Sequence, residues 1–140
     1  MKVDKQKLEN ILEKEEIIIL STSKDNCVQS RPISLANNGL DVYIKTSNDS
    51  RKAIQMQANS NVALCIDDYY IEGQAKFLGS PSDPKNSDVK SAYIKKYPDA
   101  FGDDDEYASD SDVFIAITMT KIHQWIFENG APIGLAVEEF

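Results

Sequence analysis

The spacing of apolar positions changes along the chain, and each change predicts an element. Leu8, Ile11 and Leu12 recur at i, i+3 and i+4 behind Asp4, which predicts an amphipathic helix capped by that aspartate. From Glu16 the pattern switches to β-branched residues. Ile17, Ile18 and Ile19 are apolar at every position, which predicts a strand running to Thr22 and covered on both sides. Lys24-Asp25-Asn26 has turn chemistry, so Val28 to Leu35 is expected as a second strand. Asn37-Asn38-Gly39 follows as its hairpin turn, since asparagine and glycine tolerate positive φ. Leu40 to Lys45 reads as a third strand, with Val42 and Ile44 on one face and Tyr43 on the other.

Thr46-Ser47-Asn48-Asp49-Ser50 is a row of helix-capping residues, so a short helix is expected from about Ser50 to Ala58, ending at Asn59-Ser60-Asn61. Val62 to Ile66 and Tyr70 to Leu78 predict a hairpin across Asp67-Asp68. In its second arm Glu72, Gln74 and Lys76 alternate with Ile71, Gly73, Ala75 and Phe77. Pro84 to Tyr97 suits a helix with Val89, Ala92, Tyr93 and Tyr97 on one stripe. Val113 to Thr120 alternates cleanly, and Ile122 to Phe127 continues either as another strand or as the same one after a bend. Asn129-Gly130-Ala131-Pro132 breaks the pattern, and the tail to Phe140 has no assigned element. The expected class is mainly β with flanking helices. Six or seven antiparallel strands and three helices would form one small barrel domain over residues 1–140, because tight turns leave no room for parallel crossovers.

Composition narrows the function classes. With 140 residues and no apolar run near the roughly 20 needed to span a bilayer, no membrane partner is expected. The Met1-Lys2-Val3-Asp4 start opens into a charged helix and not an apolar signal core, so a cytoplasmic location is expected. A formal net charge of -8 argues against a nucleic-acid partner. The charge is unevenly placed, however. Between Asp99 and Asp112 there is no lysine or arginine, and Asp103, Asp104, Asp105, Glu106 and Asp110 read as a solvated loop without EF-hand spacing. Arg31, Lys45, Arg51 and Lys52, by contrast, leave room for one local anion site. Cys27 and Cys65 lack the companions of a zinc site, so no metal is expected, and they read as small buried apolar residues.

The segment from Thr46 to Lys52 carries the clearest chemistry. A strand end, a hydroxyl-rich turn and a helix start place free backbone N–H groups at a positive dipole end. Ser47 and Ser50 add hydroxyls, Arg51 and Lys52 add two cations, and Arg31 on the neighbouring strand can reach the same point. That set suits a terminal phosphate. The alternative is a capped surface helix whose cations sit in solvent, although cations in a first turn oppose the helix dipole.

Gln29-Ser30-Arg31-Pro32-Ile33-Ser34, Val42-Tyr43-Ile44-Lys45-Thr46, Ser50-Arg51-Lys52, Asn59-Ser60-Asn61-Val62-Ala63-Leu64 and Ile71-Glu72-Gly73-Gln74-Ala75 occur in one order and spacing. Together they resemble the pyridoxamine 5'-phosphate oxidase-like flavin-binding split barrels, in particular their short general-stress-protein branch. The resemblance implies an antiparallel split β-barrel of the FMN-binding type, a homodimer, and flavin mononucleotide (FMN) held between the subunits. It implies that Arg31, Ser50, Arg51 and Lys52 bind the phosphate, that Lys45, Thr46 and Ser47 line the phosphate and ribityl path, and that Pro32, Ile33 and Ser34 edge the isoalloxazine ring. Trp125, in an aromatic row with His123 and Phe127 on one side of its strand, would cover the flavin across the dimer interface or be core or interface packing. No arginine follows Arg51, so the C-terminal arginine with which the longer oxidases grip a substrate phosphate has no counterpart.

The resulting expectation is an FMN-dependent oxidoreductase acting on a small-molecule substrate or reductant, with no protein residue required as acid or base. Two alternatives stay open: a flavin-binding stress-related module without turnover, and the same barrel holding haem or a deazaflavin.

Overall fold

A computed structural model describes residues 1–102 and 109–140, so the acidic stretch Asp103 to Glu106 lies outside the described residues. The chain opens with helix α1 (Lys5–Lys14), capped where Asp4 accepts a hydrogen bond from the Lys7 amide at 3.0 Å. Eight strands follow, interleaved with two further helices. They are β1 (Ile17–Lys24), β2 (Cys27–Ser34), β3 (Ala36–Asn38), β4 (Asp41–Ser47), β5 (Asn61–Ile66), β6 (Tyr69–Gly79), β7 (Asp112–Glu128) and β8 (Ala131–Glu139). Helix α2 (Arg51–Ala58) sits between β4 and β5, and α3 (Ser87–Lys96) between β6 and β7, preceded by a 3₁₀ turn at Pro84–Asn86.

All pairings are antiparallel, in the order β2-β1-β5-β6-β7-β4-β3, with β8 added to the far half of β7. The sheet curls until its two ends approach but do not pair: β2 touches β4 without sharing a ladder. This is a split barrel, mainly β with flanking helices and not closed. Inside it Ile18, Leu20, Ile44, Leu64, Ile71, Ile115, Ile117 and Ile122 are buried, with Leu8 and Leu12 of α1 plugging one end. A second cluster, Ala36, Val89, Tyr93 and Phe114, fastens α3 to the outside of β3, β4 and β7.

Several expectations need correction. Among the described residues the strands number eight, not six or seven, because the tail beyond Asn129 returns as β8 and Ala36–Asn38 forms β3. The β3–β4 turn therefore moves to Gly39-Leu40, with Gly39 at φ +60°. Val113 to Phe127 is one strand whose bend is carried by register shifts against β6 and β8. At the shift next to Gly73, a Cβ would lie 2.8 Å from the Thr118 carbonyl oxygen, so only glycine permits that approach. The isoleucine run of β1 is covered on one side only: Ile18 is buried while Ile17 and Ile19 face outward. Both cysteines are exposed rather than buried, and both are free thiols.

Outward-facing positions line up across the sheet. Register places Pro32, Ile19, Cys65, Tyr70, His123 and Val137 in one row through β2, β1, β5, β6, β7 and β8. Trp125 lies one pleat away on the same face, opposite Leu135. Ile19, Tyr70, Trp125, Phe127 and Val137 all keep more than a third of their surface exposed. No described helix is long and apolar enough to cross a membrane.

Candidate functional site

The split between β2 and β4 holds a cavity of about 770 Å³. One wall is the end of β2, Ile33 and Ser34; the other is Ile44, Lys45, Thr46 and Ser47 of β4. Tyr93 and Tyr97 of the α3 region, with Asp99 and Asp112, close the remaining side. The two phenols contribute ring surface and not free hydroxyls. Tyr93 donates to the Tyr43 carbonyl at 3.0 Å, and Tyr97 donates to the Leu35 carbonyl at 2.9 Å, with the Glu16 carbonyl at 3.3 Å. Burial pushes the Tyr93 phenol up from its ordinary range, as it does Tyr97, so both stay protonated.

Lys52 also lines a second, smaller hollow with Gln29, Ser30, Arg31 and Arg51, so the two spaces share that one residue. Three cations thus converge, as the sequence suggested for Arg31, Arg51 and Lys52. Burial lowers the Lys52 pKa, and the nearby Arg31 charge lowers it further. Burial alone lowers that of Arg31. Helix α2 brings Arg51 and Lys52 here because Ser50 caps it: the Ser50 hydroxyl accepts from the Ala53 amide at 3.2 Å. Thr46 donates to that same hydroxyl at 3.0 Å. Ser50 and Thr46 thereby build the turn, each keeping hydrogen-bonding capacity for a ligand, while the Arg51 and Lys52 amides, in the first helical turn, lack intrahelical acceptors.

Arg31 is held by two residues that sequence reasoning missed. Its Nη1 donates to Thr22 Oγ1 at 2.7 Å and to the Leu20 carbonyl at 3.4 Å, and its Nη2 to Gln55 Oε1 at 3.5 Å. Thr22 in turn donates to Gln55 Oε1. Both residues are buried, at 2% and 4% exposure. The available signal was polar residues at inward positions of β1 and α2, which alternation and helical spacing mark as misplaced in an apolar core.

At the opposite end of the larger cavity Lys45 pairs with Asp112 at 3.2 Å, and its ammonium stands 5.3 Å over the Phe101 ring. Asp112 also accepts from the Ser109 amide at 2.9 Å, which ties the start of β7 to the loop before it. Ser47 bonds to Asp49 and, at 2.8 Å, to Ser111. Pro32 and Trp125 do not line either space within one chain; both face outward on the sheet. His123 is on that outer face as well, stacked on Tyr70 with ring centroids 4.2 Å apart and Nδ1 3.1 Å from the Tyr70 carbonyl.

The family profile of pyridoxamine 5'-phosphate oxidase matches residues 4–126, which includes every strand that builds the split. The chain belongs to the pyridoxamine 5'-phosphate oxidase family. No curated protein matches it in sequence. Solved structures share its fold at low identity. The general stress protein 26 of Bacillus anthracis strain Sterne superimposes with a TM-score of 0.66 at 16% identity, covering 97% of this chain and 98% of its own. An FAD-binding protein of Mesorhizobium loti gives 0.65 at 16% identity, with 86% and 92% covered. The haem-storage protein HutZ of Vibrio cholerae gives 0.68 at 10% identity, with 85% and 91% covered. One split barrel thus serves flavin in some relatives and haem in others.

Proposed function

We propose that this chain binds FMN in the split of the barrel and uses it as an oxidoreductase on a small molecule, as a homodimer. The observation that carries the reading is the meeting of the two spaces at Lys52. A three-cation hollow suited to a phosphate shares Lys52 with a larger cavity lined in part by the Tyr93 and Tyr97 rings, the adjacency that a flavin nucleotide requires. The donor set fits the group: Arg31, Arg51, Lys52 and the α2 amides would hold the phosphate, and Thr46 and Ser47 the ribityl path. Ile33, Ser34 and the Tyr97 ring would flank the isoalloxazine. When bound, the flavin supplies hydride or electron transfer. The protein's own part is to bind, orient and exclude water. Once the cations at the phosphate end are engaged, Lys45, Asp99 and Asp112 remain, and their net negative charge favours neutral or cationic reductants over phosphorylated ones.

The homodimer reading rests on the outer row from Pro32 to Val137. That row and the adjoining Trp125 leave Ile19, Tyr70, Trp125 and Val137 in water unless another surface covers them. A second copy seated there would bring its own Trp125 towards the ring end of the site. Haem is the less favoured ligand. The described residues that line the cavity include no histidine, cysteine or methionine, and their two phenols already donate to backbone carbonyls.

The test is an absorption spectrum of purified protein before and after incubation with FMN and removal of excess ligand. Retained flavin bands at about one per subunit are expected. A Soret band, or a colourless protein after FMN treatment, would sink the assignment.

A further inference from the structure

A guanidinium carries five N–H donors arranged as a fork, and its worth to an anion depends on which of them the protein has already used. For Arg31 the count is informative. Both Nη1 hydrogens are directed inward, at Thr22 Oγ1 and the Leu20 carbonyl, and one Nη2 hydrogen faces Gln55 Oε1. What remains is Nε–H and the other Nη2 hydrogen. These two lie parallel along one edge, and no hydrogen bond to them occurs among the described residues. That edge is the bidentate one, matched in spacing to two oxygens of a phosphate.

The orientation has a cause. Thr22 has a single hydroxyl hydrogen, and it goes to Gln55 Oε1, so the Thr22 oxygen is left as an acceptor for Arg31. Gln55 must present its carbonyl and not its amide to this cluster, because an NH₂ there would face two other donors. The chain therefore runs one way, Arg31 to Thr22 to Gln55, across three buried or half-buried residues on β2, β1 and α2. The helix that carries Gln55 is also the one that carries Arg51 and Lys52, so the network fixes the β2 cation relative to the α2 cations.

We propose that Thr22 and Gln55 are positioning residues that aim the open edge of Arg31 at a phosphate monoester, making the site selective for phosphorylated over unphosphorylated flavin. The proposal rests on the flavin reading above and adds the source of its phosphate selectivity. Neither residue touches the ligand; both act through Arg31.

The test compares Thr22→Val, Gln55→Glu and the conservative Thr22→Ser by titration with FMN and, separately, with riboflavin, following flavin fluorescence. Thr22→Val keeps the shape and removes the acceptor. Gln55→Glu keeps the shape and puts a carboxylate where it competes with phosphate for the guanidinium. Roughly tenfold or greater loss of FMN affinity is expected in both, with riboflavin affinity within about twofold of wild type and Thr22→Ser close to wild type. Unchanged FMN affinity in both, or parallel losses of FMN and riboflavin, would overturn the positioning role. If Gln55→Glu does not fold, Gln55→Met is judged by the same two ligands. Should the wild type bind neither flavin, the flavin reading fails by itself. Inorganic phosphate then decides the positioning claim: a rise in thermal midpoint that Thr22→Val abolishes supports it, and a wild type that phosphate leaves unmoved overturns it.

Discussion

At the residue scale, Arg31 and Lys52 are held against their own preference. Lys52 loses its proton more readily than a free lysine because burial and the Arg31 charge both disfavour its ammonium. Its folded pKa lies below the ordinary 10.5, so the folded state binds fewer protons than the unfolded chain in the window beneath that value. The group's cost to stability is full at low pH and is relieved as pH rises through that window. An anion reverses the sign, since it favours the ammonium. We therefore expect FMN affinity to fall as pH rises into the alkaline range, from below pH 10.5, and the decline to vanish in Lys52→Arg, which stays charged. Titrations at pH 7 and at stepped higher values check this; a flat profile for the wild type would remove Lys52 from the phosphate set. These cations were legible in the sequence because Ser50-Arg51-Lys52 follows a strand end and caps a helix. Thr22 and Gln55 were not, because a single buried threonine or glutamine looks like ordinary alternation until its partner across β1 and α2 is known.

At the element scale, α3 shapes one wall of the cavity, and its attachment runs through tyrosines. Tyr93 reaches β4 and Tyr97 reaches the end of β2 and the start of β1, so the helix bridges the two strands that flank the split. Tyr97→Phe should cost about 1 kcal/mol of stability, read as a lower urea midpoint at unchanged slope, with the ring wall retained. Tyr69 anchors α1 in the same manner, donating to the Asp4 carbonyl at 2.7 Å, and burial with the nearby carboxylates pushes its phenol up to about 12. Such a group contributes stability that is intact below the unfolded value of 10.0 and is lost as pH climbs from there towards about 12. A thermal midpoint that drops across that window is expected, and a smaller drop in Tyr69→Phe. The helices were readable from spacing and capping residues. The tail was not, since Ala131 to Glu139 includes Pro132 and Gly134 and pairs only with β7, off the main path of the sheet; nothing local forces it to be a strand.

At the scale of the whole molecule, the outer sheet face decides the assembly. Its row of Pro32, Ile19, Cys65, Tyr70, His123 and Val137 adjoins a polar row in which Lys121 pairs with Glu139 at 3.0 Å and Glu72 lies 3.9 Å from His123. An apolar band beside charged groups of both signs suits a two-fold contact, where each group meets the partner's opposite. Ile19→Asp places a charge in that band without touching the core, because Ile19 faces outward. Sedimentation should then show a monomer, against the dimer proposed for the wild type, and FMN affinity should fall as well if the ring end is completed by a second copy. A wild type that sediments as a monomer would overturn the assembly. The isoleucine run foretold a strand here, but its one-sided cover was not legible, because three consecutive β-branched residues read the same whether one face or both are packed.

If Arg31, Arg51 and Lys52 hold the phosphate of a flavin nucleotide, removing two of the three cations must weaken FMN binding. FMN affinity is measured for the wild type and for Arg51→Ala combined with Lys52→Ala, with circular dichroism confirming that both are folded. Arg51 is exposed and Lys52 half-buried, and neither belongs to the buried face of α2 formed by Ala53, Gln55 and Met56, so the fold should persist. Loss of two charge-assisted contacts predicts weakening by more than about tenfold. Equal affinity in the two proteins would contradict the phosphate site and return those cations to solvent.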